Sequence, residues 1–337
     1  MTQGIVVRDL RKTFAVRERM FGPRTVKTAV DGLSFTVPRG RVTGLLGLNG
    51  AGKTTTIKML STLLRPTSGS VTVDGLSTVA DARAVRRSIN LIAGGERMVY
   101  ARMTGRENLR YFGILYGVPE QVLRERAGEL LDLVGLTEAA DTVVERYSRG
   151  MTQRLAIARG LINDPDYLLL DEPTLGLDAP IARDLRKVVA RLAADGKGVL
   201  LTSHYLAEVE ELCEHVHVVS KGRMLAEGSP ATITAATGCH GTVTVTVPSP
   251  SAAVNTAIAD FATRVDARVS GRSMEDGALS VTLSHPDDIA GPLVTEIVAA
   301  GGAVASLSVG TPSLEDAILA LGDSTAAPAA AAQGVPA

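Results

Sequence analysis

The sequence predicts an α/β core followed by a smaller α+β unit, on three observations. Short apolar runs such as YLLL (167–170) and the start of VLLTSH (199–204) lead into polar residues and alternate with helix-patterned segments. That is the pattern of a parallel sheet covered on both faces. A glycine-rich turn at 47–52 joins an apolar strand to a helix. After Gly228 the composition shifts, and TVTVTV (242–247) alternates cleanly.

The elements follow in order. Within residues 1–46, IVVRDL and LSFTV alternate as half-buried strands, and VTGLL reads as a short buried one. RERMFGPR (17–24), polar and carrying Gly-Pro, predicts an exposed loop. TTTIKMLSTLL, after the turn, predicts a helix ended by Pro66 and Gly69. SVTVDG is a strand into a turn, and residues 100–162 are mostly helical with charged faces. HVHVVSKGRMLAEG reads as strand, turn, strand, closing a first domain at residues 1–230. Residues 235–322 then give the order strand, helix, strand, strand, helix, strand, which predicts a ferredoxin-like unit. The tail, 323–337, has too little apolar bulk to pack.

Composition excludes some functions. The 337 residues suit about two domains. Lys and Arg total 35 against 36 Asp and Glu, so bulk charge points to no nucleic acid partner. Cys213 and Cys239 form no CxxC pair and are expected to stay reduced. No stretch approaches the roughly 20 apolar residues that cross a bilayer, so any membrane role must come through a partner.

The chemistry begins at Gly47, Leu48, Asn49, Gly50, Ala51, Gly52, Lys53 and Thr54, which fit GxxxxGK[ST] between a strand and a helix. Glycines let backbone N–H groups wrap a phosphate, and the helix N-terminus favours the anion. Lys53 would reach the β- and γ-phosphates, Thr55 extends the binding turn, and Thr54 would ligate Mg²⁺. YLLLDE (167–172) delivers Asp171 to the sheet edge, where it would hold Mg²⁺ directly or through water. Glu172, the next residue, is a candidate general base for the attacking water.

Tyr147-Ser-Arg-Gly-Met-Thr-Gln-Arg154 resembles the signature motif of ABC ATPases, usually LSGGQ followed by Gln-Arg. Ser148 and Gly150 match; Tyr147, Arg149 and Met151 depart from the strictest form. Read from the residues alone, Ser148 caps a second helix N-terminus able to hold phosphate. EPTLGLD (172–178) is similar to the family's loop ending in an interface aspartate, here Asp178. His204 resembles the family's switch histidine, which implies a bridge between the γ-phosphate and Glu172. Phe14 stands where the family stacks an aromatic ring on adenine, although a core phenylalanine would read the same way. A glutamine that the family places after SINLI is missing from Ala93-Gly-Gly-Glu-Arg97; either Glu96 substitutes or water completes the metal shell. TPSLEDAILAL (311–321) resembles the ending of daunorubicin-type exporter ATPases, and also reads as a helix capped by Ser313 with Glu315 and Asp316 in its first turn.

The resemblance implies a P-loop NTPase of the ABC ATPase type: a mixed sheet core plus a helical subdomain at about 100–162, with ATP and Mg²⁺ as cofactors. It also implies a separate transmembrane permease subunit, a location on the cytoplasmic face of the cell membrane, and a second ATPase subunit. The latter would be a copy or a paralogue, each ATP lying between the phosphate loop of one subunit and the signature helix of the other. An exporter of drug, antibiotic or lipid-like cargo is the leading expectation. A soluble ABC ATPase for ribosomes or DNA, and a weakly hydrolysing regulatory subunit, are the alternatives.

Overall fold

The computed structural model describes residues 4–17, 24–94, 99–236, 241–275 and 277–310, together with Leu314, Glu315, Ala317 and Ile318. Loop residues 18–23, Glu96, Cys239, Ser313, Asp316 and the tail lie outside the described residues. The chain divides into two compact units, Met1–Pro230 and Ala231–Ala337.

The first unit opens with β1 (Ile5–Arg17) paired antiparallel with β2 (Arg24–Val37). β3 (Val42–Leu46) leads through the glycine-rich turn into α1 (Lys53–Leu60). β4 (Ser68–Val73), β5 (Leu76–Ser77), α2 (Ala82–Ser88) and β6 (Ile89–Ala93) follow. The helical segment holds α3 (Gly105–Leu115), α4 (Glu120–Leu133) and α5 (Arg149–Leu161). The unit ends with β7 (Tyr167–Asp171), α6 (Ala179–Ala194), β8 (Gly198–Thr202), α7 (Leu206–Leu212), β9 (His215–Ser220) and β10 (Arg223–Gly228).

Two sheets result. One runs β2-β1-β4-β5 and is antiparallel; the other runs β10-β9-β3-β8-β7-β6. In the second, β9-β3-β8-β7-β6 are parallel and only β10 is antiparallel. The apolar runs explain the parallel part: β3 and β8 are buried along their whole length, and β7 up to Leu170. Each leucine of β7 contributes about 1.5–3 kcal/mol by leaving water. A polar clamp fixes where β7 begins. Arg39 reaches Asp74 Oδ2 at 2.6 Å and Asp166 Oδ1 at 2.7 Å, and the Tyr167 hydroxyl donates to Asp74 Oδ1 at 2.7 Å. Burial pushes the Asp74 carboxyl up, but Arg39, Tyr167 and the Gly4 N–H outweigh it and hold the pKa below its usual value.

Two expectations needed adjustment. α1 stops at Leu60, four residues short of the helical pattern, because Thr62 turns left-handed (φ 64°) and Leu64 N–H bonds back to Lys58 O. The first strands run far beyond IVVRDL and LSFTV, since β1 and β2 keep pairing to Arg17↔Arg24.

In the second unit α8 (Pro230–Ala236) begins at the junction. β11 (Gly241–Pro248), α9 (Ala252–Arg264), β12 (Arg268–Glu275), β13 (Ala278–His285), α10 (Ala290–Ala299) and β14 (Ser306–Gly310) follow. The antiparallel sheet runs β12-β13-β11-β14, the order of a β-α-β-β-α-β unit. Val243, Val245 and Val247 face a core shared with Ile258, Phe261 and Ile297, while the intervening threonines face away. Leu314, Ala317 and Ile318 are also buried. Among the described residues no helix is long and apolar enough to cross a membrane. Cys213 is a buried free thiol whose pKa burial, with Glu208 beside it, pushes up to about 12.

Candidate nucleotide and catalytic site

β3, β7 and β8 lie side by side and end on the same edge, which brings three distant segments together. Ligands of doubly wound sheets bind at such an edge. The phosphate loop leaves β3 and closes on α1 through Gly52, which caps the helix at φ 105°. A side chain there would be strained, and its Cβ would fall 2.4 Å from Ala29 O. Lys53 is 7% exposed. Its ammonium donates to Gly47 O at 2.6 Å and lies 3.4 Å from Leu48 O. Burial pulls its pKa below the ordinary lysine value, against the opposing pull of Glu172 and Asp171.

β7 ends in Asp171, whose Oδ1 accepts from the Thr202 hydroxyl of β8 at 2.6 Å. Glu172 then takes a left-handed backbone (φ 53°), held by its N–H donating to Thr202 O at 3.0 Å and Oγ1 at 3.2 Å. Such a conformation costs of order 1–3 kcal/mol and persists where neighbours impose it. Its carboxylate meets His204 just past β8, with Nε2 2.6 Å from Oε1. On the other side Gly94 N–H donates to Asp171 O at 2.7 Å. A Cβ on Gly94 would lie 1.9 Å from Glu172 O, so the segment lacking the expected glutamine carries a glycine that the close packing against the end of β7 requires.

A cavity of about 350 Å³ gathers Phe14, Asn49, Gly50, Ala51, Gly52, Lys53, Thr54, Thr55 and Glu172. Phe14 is 37% exposed there, so the core alternative for this ring falls. Gly47 and Leu48 complete the loop on which Lys53 folds. Thr54, exposed at the start of α1, and Asp171 offer hard oxygen donors of the kind Mg²⁺ takes.

Ser148, Gly150 and Asp178 do not line this cavity among the described residues. Ser148 caps α5 by accepting from Met151 N at 3.2 Å. Gly150 packs against Ile181 of α6, and Arg149 donates to Leu175 O at 3.0 Å. Asp178 precedes α6 as its cap residue, and both it and Ser148 are exposed. The departing Tyr147 is accommodated: its hydroxyl donates to Ala139 O at 2.7 Å.

Sequence reasoning missed Thr202 and Glu208. Thr202 was visible only as the polar residue in VLLTSH. Glu208, 2% exposed on α7, accepts from Thr174 Oγ1 at 2.9 Å and Ser203 Oγ at 2.6 Å. It thus braces the loop after Glu172 against the residue before His204. Burial pushes its pKa up, opposed by those two donors. Glu208→Ala strands two hydroxyls and is expected to cost about 2–4 kcal/mol of stability, read as a lower urea midpoint at unchanged m-value. Glu208→Gln keeps a carbonyl acceptor and should lose less.

A family model described as ABC transporter matches residues 30–175. The linearmycin resistance ATP-binding protein LnrL of Bacillus subtilis (strain 168) is 34% identical over 295 residues, covering 88% of this chain and 94% of that protein. The daunorubicin/doxorubicin resistance ATP-binding protein DrrA of Streptomyces peucetius is 43% identical over 212 residues, 63% of this chain and 64% of its own length. A solved ATP-binding subunit of an ABC transporter superposes with TM-score 0.60 at 29% identity, covering 70% of this chain and 94% of that one.

Proposed function

The chain belongs to the family of ABC transporter ATP-binding proteins, and on that premise we propose that it drives export through a separate membrane-spanning subunit. It binds and hydrolyses ATP. One observation carries the assignment of roles: Glu172, paired with His204 at 2.6 Å, lines the same cavity as the phosphate loop and Lys53.

In this reading the Gly50–Gly52 backbone and Lys53 bind the phosphates, and the two carbonyls that now hold the ammonium yield it to phosphate oxygens. Phe14 offers its face to adenine. Thr54 and Asp171 would hold Mg²⁺, which neutralises charge building on the phosphates. Glu172 takes the proton of the attacking water, and His204 orients that carboxylate. The Thr202 hydroxyl positions Asp171, and Glu208 keeps the two loops in register.

Ser148, Gly150 and Asp178 belong to the other half of the site. The exposure of Ser148 and Asp178 outside the cavity supports a head-to-tail dimer in which each signature helix caps the nucleotide of its partner. ATP stabilises the closed dimer through contacts made only there, and hydrolysis removes them.

The resistance relatives favour drug, antibiotic or lipid-like cargo and an export direction. The test is accumulation of linearmycin, daunorubicin and doxorubicin in cells carrying the wild-type chain or Glu172→Gln. Higher accumulation of one class in the variant supports export. Equal accumulation of every compound contradicts it.

A further inference from the structure

A second cluster of ligating side chains lies on the hairpin formed by β9 and β10. His215 and His217 are two residues apart on β9, so both imidazoles project from one face. Glu227 of β10 is the direct cross-strand partner of His217. One donor atom from each of the three residues lies within 4.8 Å of the other two. His217 Nδ1 and Glu227 Oε2 are 3.4 Å apart, and the two imidazole centroids 4.8 Å.

His217 is the informative member. It is 3% exposed, with the Phe35 ring 5.0 Å away; the Thr36 backbone and the Glu227 carboxylate are near its ring, but neither ring nitrogen makes a hydrogen bond of good geometry. Buried polar atoms are rarely left so. A purely structural histidine would be expected to hold a carbonyl or hydroxyl at good geometry.

We propose that His215, His217 and Glu227 form a three-ligand site for a divalent transition-metal ion of the zinc type. Two imidazoles and a carboxylate with one position left to water are a recurrent zinc set. Ligands about 2.0–2.1 Å from a tetrahedral ion lie roughly 3.3 Å apart, close to the spacing already present between His217 and Glu227. Glu227, with its side chain 59% exposed, can rotate to complete the set from the solvent side. The ion would staple the hairpin. The same hairpin supports the phosphate loop, because Gly222 N–H donates to Ala51 O at 3.0 Å and Val219 O packs on Gly47.

The experiment uses the untagged full chain, stripped by chelator, then titrated with Co²⁺ and Zn²⁺. One equivalent of Co²⁺ with the visible absorption of four-coordinate geometry, displaced by Zn²⁺, is expected. Zn²⁺ at 100-fold its Kd should raise the Tm of the first unit by about 5–10 °C. His215→Ala and Glu227→Ala should each weaken binding at least tenfold and abolish the Tm shift. The buried His217 is left intact, so that folding is not at issue. Absence of saturable binding overturns the proposal. So does binding that persists in both variants, or that disappears only in His204→Ala, which would place the ion at the nucleotide site.

Discussion

Glu172→Gln lowers steady-state ATP turnover by roughly 10²–10⁴-fold while ATP affinity changes little. The amide keeps the shape of the carboxylate. It can still meet His204, which stands 2.6 Å from Oε1, and the Thr202 contacts are made by the Glu172 N–H and not by its side chain. What is lost is the basicity that accepts the proton of the attacking water. Phosphate release measures turnover, and fluorescent-nucleotide titration measures affinity. Turnover within tenfold of wild type would remove Glu172 from the role of base and leave orientation and charge stabilisation to account for hydrolysis.

Lys53→Ala acts one step earlier and weakens ATP binding by about 10²-fold. Hydrogen bonds from a charged donor contribute about 1.5–3 kcal/mol each when the alternative is an unpaired group. Lys53 lies buried at the phosphate loop with its ammonium already on two loop carbonyls, placed to serve two phosphates. An unchanged thermal transition alongside the lost affinity separates binding from folding. An unchanged Kd for ATP would show that the loop backbone suffices without the ammonium.

The parts of this site that were legible in the sequence are those encoded locally. The phosphate loop is a contiguous motif, and a short buried strand such as YLLL needs only its own apolar run to be recognised. Ser148 as a cap could likewise be read from the residues that follow it. What escaped depends on contacts between segments far apart in the chain. Glu208 looks like any acidic residue of a surface helix until α7 folds it beneath Thr174, 34 positions earlier. Gly94 gains its meaning only when β6 and β7 pair, which sets Ala93 beside Asp171 and presses the next residue against Glu172. The length of the first hairpin was hidden for another reason: its outer half is exposed, as at Val26 and Phe14, so burial gives no clean alternation to read. α1 was overestimated because nothing in STLL announces the left-handed turn at Thr62.

The missing glutamine illustrates the same limit. Its absence raised the question of what completes the metal shell; what the fold adds is that Gly94, early in that segment, donates to the strand carrying Asp171 and fits closely against Glu172.

The shared nucleotide is the central claim, and light scattering of the Glu172→Gln protein with and without ATP and Mg²⁺ tests it most directly. The account predicts a monomer without nucleotide and a dimer with it, the dimer being lost when Ser148→Arg is added. A mass that stays monomeric at saturating ATP, or a dimer indifferent to Ser148→Arg, would contradict it.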